Sequence, residues 1–133
     1  MSSFTQYQTA SAHSVPQKLP LRFNGLPTQD YLELIGIDSP VVRRAQKDEL
    51  TNAAKTFKEN EWNSDKEDEL RIRILSRAVV GWSFEEDCSF DNVFAFLKEA
   101  PQVVESIDLF ISNGNNFAKK LKDWLLIVIS TFH

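Results

Sequence analysis

The chain has 133 residues, 42% of them hydrophobic and 26% charged, with a net charge of −4, one cysteine and two histidines. That length suits one domain with a core of its own, made without disulfide or metal staples. The acidic balance excludes an overall basic field for nucleic acid, one cysteine excludes an internal disulfide, and two histidines argue against a protein-built zinc site.

The opening "MSSFTQYQTASAHS" has neither a basic nor an apolar block of the kind a secretory signal needs. Residues 1–17 are polar and small, and are expected to form a flexible tail ahead of a single domain over 18–133. From Leu19 the character changes. "LPLRF", "NGLPTQ" and "DYLELIGI" read as a strand, a connection and a second strand, with Asn24-Gly25 as the turn dipeptide. A lone hairpin is marginal, so it must lie on something.

Asp38 or Ser39 ahead of Pro40 marks a helix start, and the spacing predicts a helix over 40–58. The polar, acidic stretch "ENEWNSDKEDE" follows. Ser64 with Glu67 forms a capping-box pattern, so a second helix is expected from 65 to Gly81 or Trp82. Its apolar face holds Leu70, Ile74, Leu75, Ala78, Val79 and Trp82, with Arg73 and Arg77 opposite. In this reading Gly81 lets the helix stop, and Trp82 covers the core between the second and third helices.

Ser89 caps a third helix with the stripe Phe90, Val93, Phe94 and Leu97. Pro101 ends it and opens a fourth, whose inner face is Val103, Val104, Ile107, Phe110 and Ile111, stopped at Asn113-Gly114. A hydrophobic C-terminal helix over 117–133 completes the chain. The expected fold is mainly α: a short N-terminal β-hairpin packed on a bundle of four to five helices.

Chemistry is sparse. Cys88 follows Glu85, Glu86 and Asp87, which would raise its pKa, and has no histidine nearby. The three consecutive acids lack the alternation and glycine of a calcium loop. Arg43, Arg44 and Lys47 could touch phosphate, but the segment between the first two helices is too long and acidic for a helix-turn-helix. No Gly-rich phosphate loop, Ser-His-Asp set or metal spacing is present, so the expectation is a non-enzyme with no cofactor, no metal and no nucleic acid. Charge is blocky: residues 43–58 are net basic, 59–69 net acidic, Arg71, Arg73 and Arg77 basic, and 85–91 acidic. Such alternation suits contacts between helices or self-association, as well as solvated faces.

Trp124, Leu125, Leu126, Ile127, Val128, Ile129 and Phe132 crowd the chain's end. At about 1.5–3 kcal/mol each they represent roughly 10–20 kcal/mol of gross burial. Six are consecutive, so one side of a helix stays wet once the other packs. The helix is either fully buried or presents a partner or self-association surface, for which Trp124, Leu125, Val128 and Phe132 are the candidate residues. The same run is too short to span a bilayer, so no membrane partner is expected.

"SRAVVGWSFEEDCSFDNVFAFLKEAPQVVESIDLFISNGNNFAKK" resembles the C-terminal half of the tail assembly chaperones of long-tailed bacteriophages. Those proteins show a helix ending in Val-Val-Gly-Trp, a polar linker, a helix of the "ENV..LL" kind, then Pro and a helix ending near Asn-Phe. Val79 to Trp82, Phe90 to Leu97 and Pro101 to Phe117 match these in order. "LIGIDSPVVRRA" resembles the family's first-helix start, so the likeness covers about residues 19–120. The resemblance implies a protein that binds the tape measure protein in the host cytoplasm, keeps it soluble while tube subunits polymerise, and is absent from the finished virion. It also implies a short form, with contact to the tail tube protein through a longer, frameshifted form. The alternatives are a head- or tail-completion protein retained in the virion and a small DNA-binding regulator.

Overall fold

The computed structural model describes residues 15–56, 61, 63–111, 123 and 127. Strand β1 (Gln17–Phe23) and strand β2 (Leu26–Leu34) form the hairpin. Asn24 and Gly25 both have positive φ, 52° and 77°, which makes the connection a type I′ turn whose twist matches the strands it joins. A register shift between Pro20 and Arg22 breaks the ladder. The Thr28 hydroxyl bridges the break, donating to Leu21 O at 2.8 Å and accepting from Asp30 N at 3.2 Å.

Helix α1 (Pro40–Thr56) begins at Ser39, whose buried hydroxyl accepts from Val42 N at 3.3 Å. Of the two expected caps, Ser39 is the one used; positions 57 and 58 lie outside the described residues. Helix α2 (Ser64–Ser76) is capped one residue earlier than the capping-box pattern suggests: Asn63 accepts from Lys66 N at 2.9 Å. An Asn in extended conformation supplies the acceptor, so Ser64 becomes the first helical residue.

Two expectations fail at the other end of α2. The helix does not reach Gly81 or Trp82, and the fold is not a helical bundle under a two-stranded hairpin. It is a mixed α/β fold with a three-stranded antiparallel sheet in the order β1-β2-β3, β3 being Val79–Trp82. Arg77 N and Ala78 N donate to Ile74 O and Leu75 O, tightening the chain out of the helix. The β-branched pair Val79-Val80 then pairs with β2: Val79 opposite Leu34, Gly81 opposite Glu33, Trp82 opposite Leu32. Val80 is the extra residue where the register shifts, and it is exposed. Gly81 does not stop a helix. It clears space for a cross-strand neighbour, since a Cβ there would sit 2.9 Å from Glu33 Oε2.

Helix α3 (Phe90–Lys98) is capped by Ser89, as expected, with its hydroxyl accepting from Asn92 N at 3.3 Å. Helix α4 (Pro101–Ile111) follows at once. These four helices and three strands are the elements whose bounds fall within the described residues. Leu32 and Leu34 of β2 alternate inward and meet Val42, Ile74, Leu75, Val93, Leu97 and Ile107, one or two from each helix, all fully buried. Each is worth about 1.5–3 kcal/mol of gross burial. Backbone bonds carry β2 into this core: Ile35 N donates to Ala78 O, and Ile37 N to Ile111 O.

Two ion-pair seams clamp α2. Arg71 meets Asp108 at 2.6 Å and Glu105 at 2.9 Å on α4, and Arg73 meets Glu49 of α1 at 2.9 Å. The expected C-terminal helix lies outside the described residues apart from Asp123 and Ile127. Both are helical and exposed.

Candidate functional site

The residues leaving β3 build an aromatic groove. Trp82 lies opposite Leu32 in the sheet, and Phe84 follows two residues later. Phe96 reaches them from α3. The three rings meet edge to face, with centroids 5.2 Å (Trp82–Phe84), 5.2 Å (Phe84–Phe96) and 5.9 Å (Trp82–Phe96) apart. That arrangement brings the positive ring edge onto the negative face and adds about 0.5–1.5 kcal/mol per pair beyond burial. All three rings are half-buried: one side packs on the core, and the other lines an open groove of about 340 Å³ together with Glu86 and Asn92.

The loop that frames the groove is held at both ends. Ser83 N donates to Tyr31 O at 3.1 Å, the Ser83 hydroxyl accepts from Tyr31 N at 3.0 Å, and it donates to Asp30 at 3.2 Å. Trp82 Nε1 donates to Glu86 O at 2.7 Å, and Asn92 Nδ2 donates to Asp87 O at 2.9 Å. Those bonds use backbone carbonyls and leave the side chains of Glu85, Glu86 and Asp87 exposed, with no ion pair to another described residue. The groove is therefore apolar inside and anionic at its rim.

Cys88 sits beside this loop, half-buried. Burial pushes its thiol up, and the Glu33 carboxylate adds to the effect. It stays a protonated thiol at neutral pH and a poor nucleophile. The direction matches the expectation, but the carboxylate responsible is Glu33 on β2, not the adjacent acids. No group of three or more His, Cys, Asp or Glu among the described residues is placed to hold a metal.

A second aromatic cluster lies on α3. Phe90 and Phe94 stack at 5.9 Å with planes 13° apart. Cations cover them: Arg77 lies 3.9 Å from the Phe90 centroid, Arg73 5.4 and 5.6 Å from the two rings, and Lys98 5.3 Å from Phe94. Arg73 and Arg77 are thus used within the fold, joining α2 to α3. Arg43, Arg44 and Lys47 are exposed along α1, and seven residues separate α1 from α2.

Trp124, Leu125, Val128 and Phe132 lie outside the described residues. Trp82 was legible as a core-covering residue, and it does pack on the core, but from a strand. Phe84 and Phe96 were not singled out. Their only signal was the alternation Trp82-x-Phe84, which a helical reading hides. No helix among the described residues is long and apolar enough to cross a membrane. No family model, curated protein or solved structure matches the chain.

Proposed function

We propose that this chain is a tail assembly chaperone of a long-tailed bacteriophage, binding the tape measure protein and keeping it soluble until tube subunits enclose it. The observation that carries this reading is the open groove of Trp82, Phe84 and Phe96, with exposed carboxylates at its rim that have no ion pair to another described residue. Such a groove suits an amphipathic helix whose apolar side chains are flanked by cations. The order of the motifs from Leu34 to Phe117 supports the family assignment, with one amendment: Val79 to Trp82 is a strand here, not a helix end. In this reading the chain works in the host cytoplasm, leaves before the virion is complete, and meets the tube protein through a longer form.

Co-expression with the tape-measure-like protein encoded downstream, followed by native mass spectrometry of the soluble fraction, tests it. Several copies per client are expected, with the client insoluble when this chain is omitted. Phe84→Ser should reduce retention of the client while Phe90→Ser, in the cation-covered cluster, should not. A client equally soluble alone would overturn the proposal. Recovery of the chain in purified virions would favour a completion protein instead.

A further inference from the structure

Helix α1 carries a polar cluster that the fold does not satisfy. Arg43, Gln46, Lys47 and Leu50 recur at i, i+3, i+4 and i+7, so they share one face of the helix, with Arg44 and Asp48 on its flank. Together these residues line an open concavity of about 620 Å³. Arg43, Arg44 and Lys47 are exposed, and none has an ion pair to another described residue. Gln46 is different. It is only 8% exposed, yet its side-chain amide has no hydrogen bond to any described residue.

Three unfavourable effects therefore meet on this face. A buried amide without a partner forfeits the hydrogen bonds it made to water. Arg43 and Lys47, one turn apart, repel each other. The first turn of α1 holds no acid, so Arg43 and Arg44 also stand near an unopposed positive end of the helix dipole. One dianion in the concavity relieves all three, accepting from the Gln46 Nε2 group and the guanidinium groups while it neutralises the like charges. The lining carries three cations against the single carboxylate of Asp48, a balance that a dianion offsets. We propose that this face of α1 binds the phosphate group of a small molecule, held by Arg43, Arg44 and Lys47 and oriented by Gln46. A nucleic-acid backbone is a poorer match. Duplex binding commonly spreads over about 6–10 phosphates, whereas these cations sit within little more than one helical turn. None of them lines the aromatic groove, so client binding plays no part in the test.

An NMR titration of the full-length chain with inorganic phosphate at constant ionic strength tests this. The side-chain amide signals of Gln46 are expected to shift and saturate. Arg43→Gln and Lys47→Gln, both at exposed positions, should each weaken binding roughly tenfold. Lys55→Gln removes the same charge farther along α1 and should leave binding unchanged. Gln46→Met should weaken phosphate binding by a similar factor. The urea midpoint of that variant without phosphate should be equal or higher, since it has no amide left to bury. Glycerol 2-phosphate in a parallel titration separates the sources: tighter binding than inorganic phosphate identifies a monoester, weaker binding the free ion. Absence of a saturable shift would overturn the proposal. So would equal weakening by Lys55→Gln, which reduces the effect to the charge of the helix as a whole. A lower urea midpoint for Gln46→Met would overturn it too, because the amide then has a partner within the fold. A DNA duplex that moves the Gln46 signals where inorganic phosphate does not would assign the face to nucleic acid and overturn it as well.

Discussion

Helix α3 presents two aromatic clusters that have been finished in opposite ways. Phe90 and Phe94 are covered by Arg73, Arg77 and Lys98, so their negative faces already meet cations from the same chain. Trp82, Phe84 and Phe96 satisfy one another edge to face but are covered by nothing described, and the charges beside them are carboxylates without an ion pair to another described residue. One cluster is a seam, the other a surface.

The largest effect should come from neither cluster but from the ion pair that fixes α2 beneath both. Arg71→Ala removes the cation paired with buried Asp108, a change that typically costs about 3–5 kcal/mol. Urea denaturation should show that loss, and both clusters should loosen together. If the aromatic groove keeps its fluorescence and its client while α2 loosens, the two clusters are independent. Trp82→Ala comes next. The ring is half-buried, so the expected loss is about 2 kcal/mol, below that of a fully buried tryptophan. It should also weaken client retention, which separates it from Arg71→Ala rescued by lower temperature.

Arg77→Ala removes the closest cation over Phe90 and should cost about 0.5–1 kcal/mol while leaving client binding unchanged. An effect on binding from this change would erase the distinction between seam and surface. The smallest effect is with pH. The Arg71 hydrogen bond holds the Glu105 carboxyl below the usual carboxylate range. Its stabilisation is therefore full above the unfolded-state pKa and is lost as pH falls below the usual carboxylate range and through the lower folded value. Glu105 is mostly exposed, so the loss should stay under about 1 kcal/mol, and Glu105→Gln should flatten it in a pH series of urea melts.

Much of the local structure was legible. Asn24-Gly25, Ser39 and Ser89 announce a turn and two caps through chemistry contained in a few neighbouring residues. The third strand was not. Ala78, Val79 and Trp82 continue the helical spacing of Leu70, Ile74 and Leu75, and only the pairing of Val79 with Leu34, far back in the chain, makes them a strand. The β-branched pair followed by glycine was the available hint. The groove depended on the same missed pairing. Once Trp82 is in a strand, Phe84 follows it onto one side and Phe96 arrives from a separate helix, a meeting that no spacing rule records. The residues first singled out for partner binding, Trp124, Leu125, Val128 and Phe132, lie outside the described residues and stay an expectation from composition.

The placement of β2 between a neighbour close in sequence and one distant in sequence has a consequence for synthesis. As the chain leaves the ribosome, β1 and β2 can pair almost at once, yet the inner side of β2 and its second edge stay open until residues 79–82 have emerged. For that interval Leu32 and Leu34 are uncovered by their final partners, so the chain passes through an aggregation-prone stage. Slowing translation between the hairpin and Val79 would lengthen that stage.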